Sequence, residues 1–239
     1  MFFLGLDLET TGLDVKKDRI IEVGLVVYCT IRKKPLAMLS HLIRDETIGP
    51  LSDEIKEITG IDDWDLKEFG EDPKKVLGIV REFIERFPNV VAHNGRNFDI
   101  PFLYNEYDRF SLRRPNPFTL IDTSTDVPYP EMVGTRKLGY LAAEHGFLNP
   151  FPHRAVTDVL TMLKVVGQYD TSEVIKWALA PNLKVRAVVT YDDRQKAKDL
   201  GYRWEAGEKL WVKTLKNFQL EAERERADFE VRVLEEGSL

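Results

Sequence analysis

Four acids stand in this chain at places where a carboxylate is costly. Asp7 and Glu9 end an otherwise apolar stretch, "MFFLGLDLETTGLD". On a strand running from about Phe2 to Glu9, alternation puts Phe3, Gly5, Asp7 and Glu9 on one face and Leu4, Leu6 and Leu8 on the other. Both acids then point the same way, about 7 Å apart by strand rise. In "NFDIPFLYNEY", Asp99 lies three and four residues before Phe102 and Leu103, so on a helix it shares their face. In "HRAVTDVLTML", Asp158 lies three residues after Ala155 and four before Met162, again on the apolar side. A helix acid normally faces water, and a carboxylate on a packing face is strongly unfavourable unless its charge is compensated.

An exposed strand end would account for Asp7 and Glu9 alone, but not for all four acids. Convergence around divalent cations accounts for the whole set. All-oxygen ligation suits Mg²⁺ or Mn²⁺ rather than zinc, which prefers His and Cys. Four carboxylates also balance two such ions in formal charge. The chemistry that uses such a pair is in-line displacement at phosphorus, one ion activating water and the other steadying the leaving oxygen. The water needs a base, and His153 is the best-placed candidate. It stands five residues before Asp158, after "NPFP", at the entrance of the helix rather than on it.

The elements that must position these groups read as an α/β domain. "RIIEVGLVVYCTI" and "LAMLSHLIR" follow the first strand as strands two and three, with "KKP" as an antiparallel reversal. A helical region spans about Ser52 to Phe87, its last helix opened by Pro73 and ended by Pro88. Then come a short buried strand "NVVAH", the Asp99 helix, a strand "FTLID", a helix stopped by Gly146 and the Asp158 helix. This order points to a mixed sheet flanked by helices over residues 1–170. Residues 171–182 read as a linker with a short helix. Residues 183–235 read as a small α+β unit of order β-α-β-β-α-β, with Phe229, Val231 and Val233 sharing one face of its last strand.

The 239 residues are 43% hydrophobic, enough to bury a sizeable core. The longest apolar runs fall far short of the ~20 residues of a membrane span. A single cysteine, Cys29, leaves no internal disulfide and fits a reducing, cytoplasmic compartment. The net charge of −6 argues against a non-specific, high-affinity nucleic-acid binder, but not against an enzyme that handles nucleic acid at a local site.

"DLETTGLD", "HNGRNFDIPFL" and "HRAVTD" resemble the three motifs of the DnaQ-like DEDDh 3′-to-5′ exonucleases, over roughly residues 1–170. The resemblance implies an RNase H-like mixed five-stranded sheet and removal of 5′-mononucleotides from 3′ ends. It implies Asp7, Glu9 and Asp158 as direct metal ligands, with Asp7 bridging two Mg²⁺ or Mn²⁺ ions. Asp99 would hold the second metal partly through water, and His153 would be the general base. Thr10, Thr11, Gly12 and Leu13 would seat the terminal nucleotide, with Leu13 wedged against the last base. Asn94 and Phe98 are further expected substrate contacts. The expected partner is a nucleic-acid 3′ end, single-stranded DNA foremost. RNA, or a proofreading role beside a replication or repair partner, remain the alternatives.

The small unit resembles the HARP-type module found beside annealing helicases. Its hairpin carries "YRW" and "KLWVK", so Arg203, Trp204, Lys209, Trp211 and Lys213 form a candidate nucleic-acid patch. Bases stack on such rings without regard to sequence. Core packing is the competing reading for both tryptophans. His93 reads as a packing or supporting residue, and Asp122 and Asp126 as turn caps.

Overall fold

A computed structural model describes residues 1–130 and 133–236. The chain separates into two compact units, Met1–Ala178 and Leu179–Leu239. Among the described residues, no helix is long and apolar enough to cross a membrane.

The first unit opens with an antiparallel meander: β1 (Phe2–Thr10), β2 (Ile20–Cys29) and β3 (Lys34–Leu42). The helical region is three helices, α1 (Asp53–Thr59), α2 (Asp63–Phe69) and α3 (Pro73–Arg86). Each has its own start signal: the Ser52 and Asp72 side chains cap α1 and α3, and Asp62 forms a capping box with Asp65 on α2. Gly60, at φ 67°, ends α1 in the left-handed region. Then follow β4 (Asn89–Ala92), α4 (Asp99–Arg109), β5 (Thr119–Asp122), α5 (Leu138–Glu144), α6 (Ala155–Val166) and α7 (Thr171–Leu179). The sheet order is β3-β2-β1-β4-β5, with β4 parallel to both β1 and β5. This is the expected mixed five-stranded sheet flanked by helices. β1 is its central strand, and its carboxyl end is the place where the site must lie.

The predicted parity of β1 holds. Leu4, Leu6 and Leu8 pack with Val76, Val80 and Ile84 of α3 and Phe102 and Leu103 of α4. Phe3, on the other face, packs with Val26, Tyr28 and the apolar side of α6, including Val159, Met162 and Leu163. The Asp7 face is therefore the α6 face. Two glycines let α6 come this close. A Cβ on Gly5 would meet Val159 Cγ1 at 2.4 Å, and one on Gly24 would meet the Ala155 carbonyl carbon and the Val156 nitrogen at 2.5 Å. Gly24 stands opposite Asp7 in the β1–β2 register. Contact with backbone cannot be relieved by a rotamer change, so Gly24→Ala must push the first turn of α6, and Asp158 with it, off the sheet. Overpacking costs about 1–3 kcal/mol, or roughly 2–4 °C of melting temperature per kcal/mol. Gly78→Ala in α3 is the control: nothing lies within 4 Å of its added Cβ, and replacing a helical glycine favours the helix. Thermal melts are expected to show a loss for the first and none for the second.

The segment expected as a linker folds differently. Val174 and Ala178 of α7 are buried in the same core as α6, so this helix completes the first unit. The 3.6-residue spacing of Val174 and Ala178 carries that signal, but the helix is too short to announce itself.

The second unit has the expected order: β6 (Asn182–Val188), α8 (Arg194–Asp199), β7 (Arg203–Glu205), β8 (Leu210–Lys216), a 3₁₀ turn, α9 (Leu220–Arg226) and β9 (Glu230–Glu236). Its antiparallel sheet runs β7-β8-β6-β9. Leu183, Val185, Ala187, Ala197, Tyr202, Leu215 and Val231 form the core, with Phe229 packed against it. Val233 departs from the expected face partnership and is exposed. β9 is an edge strand with a register irregularity opposite Lys184 and Val185, which breaks its alternation there.

Candidate active site

The four anomalous acids meet at the carboxyl end of β1. Glu9, His153 and Asp158 each bring a potential ligand atom within 4.8 Å of the others. Asp7 lies beside them. Burial, followed by the charges of Asp99, Glu9, Asp158 and Glu22, holds its carboxyl well above the usual carboxylate range. Burial and the same kind of crowding, from Asp158, Glu22 and Asp99, push Glu9 to about 8, while Arg154 opposes the rise. Asp99 opens α4 and is almost completely buried. Its carboxyl is also pushed up to about 8, chiefly by burial, against the pull of its own and the Leu8 backbone N–H groups. One of its oxygens, Oδ1, is buried with no hydrogen-bond partner.

Asp158 is held more firmly. Asn149 Nδ2 donates to Oδ1 at 2.6 Å and the His153 backbone N–H donates to Oδ2 at 2.8 Å. Burial still raises its carboxyl, with His153 and Asn149 opposing. His153 stands two residues before α6 at φ 61°, with its ring exposed. The left-handed backbone turns its N–H back to Asp158 and leaves the ring free over the carboxylates, as expected for a residue at the helix entrance.

These donors fit divalent cations. Carboxylates crowded until their protons are retained near neutral pH, together with a buried carboxylate oxygen lacking any partner, form a site that added positive charge would relieve. The donor set is oxygen with a single imidazole, which favours Mg²⁺ or Mn²⁺ over zinc. A melting prediction follows. Folded-state values raised above the unfolded ones stabilise the fold at low pH, and that stability is lost as pH rises toward about 8. In EDTA the protein should therefore melt lower at pH 8.5 than at pH 5.5. Cation binding requires deprotonated ligands, so 5 mM Mg²⁺ or Mn²⁺ should raise the melting temperature most at pH 8.5. Saturation at about 100 times Kd gives about 2.7 kcal/mol, or roughly 5–10 °C. A cation-induced rise that is equal at both pH values would contradict this reading.

The turn after β1 is built as a rigid ledge. Thr10 Oγ1 donates to the Gly12 carbonyl at 2.6 Å, and Thr11 Oγ1 donates to Asp18 Oδ1 at 3.1 Å. The Asp14 N–H donates to Asp18 Oδ2 at 2.8 Å. A Cβ on Gly12 would meet the Asp18 carboxylate at 2.5 Å, so a larger residue would displace the carboxylate that Thr11 and Asp14 bond to. Leu13 projects from this ledge, 84% exposed. An apolar side chain so bare beside a charged cleft is available to a ligand.

Asn94, also at left-handed φ, is exposed on the loop from β4 to α4, its Oδ1 accepting from Asn97 at 3.0 Å. Phe98 is partly buried against Phe102, ring centroids 4.8 Å apart. Asp122 clamps that loop, accepting from the Asn94 and Arg96 N–H groups at 2.9 and 3.0 Å. Asp126 pairs with Arg96 at 2.6 Å. Asp122 also accepts from the Ser124 N–H and Oγ at 3.0 and 2.7 Å, the expected turn cap, whereas Asp126 holds Arg96 and accepts from the Asp122 N–H at 2.8 Å. His93 meets Thr123 Oγ1 at 2.7 Å, a supporting role.

Glu22 went unassigned in the sequence. It is fully buried, opposite Glu9 in the β1–β2 register. It accepts from Arg154 Nε and Nη2 and from the Ala155 N–H, each at 3.1 Å, and from Ser40 at 2.7 Å. It thereby ties the start of α6 to the sheet. The available signal was an acid inside a ten-residue strand that is otherwise buried and nearly all apolar.

In the second unit the expected patch divides. Lys213 turns inward, donating to Glu223 and to the Leu200 carbonyl at 2.8 Å. Arg203 and Trp204 are adjacent on β7 and so take opposite faces. Trp204 and Trp211 stand opposite each other on β7 and β8, ring centroids 5.6 Å apart. Trp211 packs partly against the core, while Trp204 is 51% exposed. Lys209 is exposed.

Residues 4–166 match the family model described as "Exonuclease". Residues 183–234 match a family described as a domain of unknown function (DUF8626), which lends the HARP resemblance no support. The chain is 32% identical to DNA polymerase III subunit epsilon of Treponema pallidum, over 68% of this chain and 74% of that one. It is 29% identical to exonuclease DPD1 of Arabidopsis thaliana (66% and 53%) and 27% identical to human three prime repair exonuclease 2 (74% and 86%). It spans only 8% of the PolC-type polymerase of Mycoplasma genitalium, which it also matches. Among solved structures, it resembles the nuclease domain of 3′hExo, a DEDDh family member bound to rAMP, at 18% identity and TM-score 0.58, over 70% of this chain and 90% of that one. It also resembles E. coli exonuclease I with a dT13 oligonucleotide, at 15% identity and TM-score 0.61, over 77% and 48%. The first unit thus has the RNase H-like exonuclease fold, and the chain belongs to the exonuclease family. Members of its DEDDh branch work with divalent metal ions.

Proposed function

We propose that this chain is a 3′-to-5′ exonuclease that releases nucleoside 5′-monophosphates, with single-stranded DNA as its main substrate. The observation that carries the reading is the meeting of Glu9, His153 and Asp158 within 4.8 Å, beside Asp7 and the unpartnered buried oxygen of Asp99. Asp7, Glu9, Asp99 and Asp158 would hold two Mg²⁺ or Mn²⁺ ions. Such ions, when bound, acidify a water nucleophile and offset charge on the leaving oxygen.

The chain's own residues set the geometry. The ledge at Thr10–Leu13 receives the terminal nucleotide, with backbone N–H groups facing the 3′-hydroxyl and Leu13 against the last base. His153 accepts the proton of the attacking water, and its exposed ring can reach a water on the open side of the cleft. Glu22 and Arg154 keep the first turn of α6 in place, so that His153 and Asp158 approach the same phosphate. The cleft must receive one nucleotide at its floor, which favours a single-stranded or frayed end. Kinship with a DNA polymerase III subunit supports DNA over RNA.

The test offers purified protein matched 3′- and 5′-labelled DNA and RNA, single- and double-stranded, with Mg²⁺, Mn²⁺ or EDTA. Metal-dependent mononucleotide release from the 3′ end of single-stranded DNA is expected, with no added partner. Faster RNA trimming would reassign the substrate. Dependence on a polymerase would make this a proofreading subunit. Shortening from the 5′ end would refute the proposal.

A further inference from the structure

The second unit contains a cavity of about 410 Å³ that the exonuclease reading leaves unused. Its volume lies within the roughly 300–1,000 Å³ of ligand pockets. It forms where the end of β6 and the loop into α8 face the β7–β8 hairpin. Three aromatic rings line it, Tyr191, Trp204 and Trp211, with three cations, Arg186, Arg194 and Lys209. No acid is among its lining residues.

Core packing does not explain this arrangement. Tyr191 is 77% exposed and Trp204 51% exposed, so both rings keep most of their apolar area in water. The Arg194 guanidinium lies over the Tyr191 ring, 3.8 Å from its centroid, which fixes a flat cation and a flat ring together. Asp192, next to Tyr191, is exposed and outside the lining, and three other nearby acids are ion-paired. Glu205 and Glu208 pair with Lys184 at 3.0 and 3.4 Å, and Asp193 pairs with Lys196 at 3.1 Å. The unit carries twelve Lys and Arg and twelve Asp and Glu (12 − 12 = 0), so the uniformly cationic lining is a local feature rather than a general one.

We propose that this pocket binds an unpaired stretch of nucleic acid, bases against Trp204 and Tyr191 and phosphates against Arg194 and Lys209. Base-paired strands hide the faces that these rings would stack on, so the chemistry selects single strands. Stacking of this kind tolerates any base, and the cations confer salt dependence. The site is separate from the carboxylate cluster and would tether substrate to the chain between cleavage events, raising the local concentration of 3′ ends. The assignment concerns the second unit alone and does not depend on which polymer the first unit cuts.

The test uses the full chain carrying Asp7→Asn, so that the ligand survives, and follows the fluorescence anisotropy of labelled dT20, rU20 and a 20-base-pair duplex in EDTA. Trp204→Ala and Tyr191→Ala should each weaken single-strand binding by about 5- to 160-fold, the range for loss of one stacked base. The melting temperature should be unchanged, because both side chains are largely in water. Arg194→Gln should flatten the dependence of affinity on salt. Unchanged affinity for dT20 and rU20 in all three variants, or an equal loss on the duplex, would overturn the proposal. In the otherwise wild-type chain, Trp204→Ala should leave hydrolysis of a dinucleotide intact and raise KM for a 20-mer. Hydrolysis that persists while binding proves independent of Trp204 removes only the pocket. Binding that depends on Trp204 while no cleavage occurs removes only the nuclease assignment.

Discussion

Asp7→Asn is expected to lower nucleotide release by at least about 10³-fold, the scale for loss of a charge that acts in a desolvated site. The same variant should melt higher than the parent in EDTA at pH 8. Both effects have one origin. Burial and four other acids, Asp99, Glu9, Asp158 and Glu22, hold the Asp7 carboxyl well above the usual carboxylate range. Ionising all of these groups without cations costs the fold stability, and asparagine keeps the shape while removing one charge. Changes that relieve functional strain commonly add about 0.5–2 kcal/mol. The added Mg²⁺ or Mn²⁺ that stabilises the parent should then have little effect on the variant. Three readouts therefore move together: activity falls, metal-free melting rises and the cation-induced rise shrinks. A variant that melts lower without metal would mean that favourable contacts hold Asp7 in place, and the cluster would not be a cation site. Asp18→Asn, in the turn beside the site, serves as a comparison. It weakens the bonds that Asp18 accepts from Thr11 and Asp14 without removing a charge from the carboxylate cluster.

The parts of this site legible in sequence are those set by local periodicity. Strand alternation alone puts Asp7 and Glu9 on one face, and helical spacing alone puts Asp99 and Asp158 on packing sides. The structure leaves those four assignments as they were read. Glu22 was hidden because its meaning depends on register. It matters only because β2 pairs with β1 so that residue 22 faces residue 9, and because its compensating Arg154 lies 132 positions away. Lys213 shows the opposite error. Alternation places it on the same face as Trp211, but Glu223 of α9 claims its ammonium group, which no pattern within the hairpin announces. Trp204 and Trp211 have the same residue type and face each other, yet differ in exposure because β7 is the edge strand and β8 is not. Tyr191 and Arg194 belong to a loop and a helix start with no periodic signal, so the cavity they line was invisible until the hairpin was placed against them.

His153→Gly is expected to lower kcat by about 10²–10⁴-fold, the usual contribution of a positioned general base, and to recover part of that loss when imidazole is added. Glycine is the informative substitution at this position. The residue sits at φ 61°, where glycine is unstrained and alanine is not, and the backbone N–H that holds Asp158 Oδ2 at 2.8 Å is retained. The variant thus removes the ring without releasing the carboxylate. KM and the cation-induced rise in melting temperature should stay near those of the parent, because Asp7, Glu9, Asp99 and Asp158 are untouched. A ring that merely propped the loop would give a different pattern: loss of the metal response, a raised KM and no recovery with imidazole. Removing Arg154 is expected to give that second pattern. It contacts Glu22 rather than a reacting atom, and a charge-assisted hydrogen bond of this kind contributes about 1.5–3 kcal/mol. The contrast between two neighbours, one before the helix and one at its cap, separates the group that moves a proton from the group that positions it.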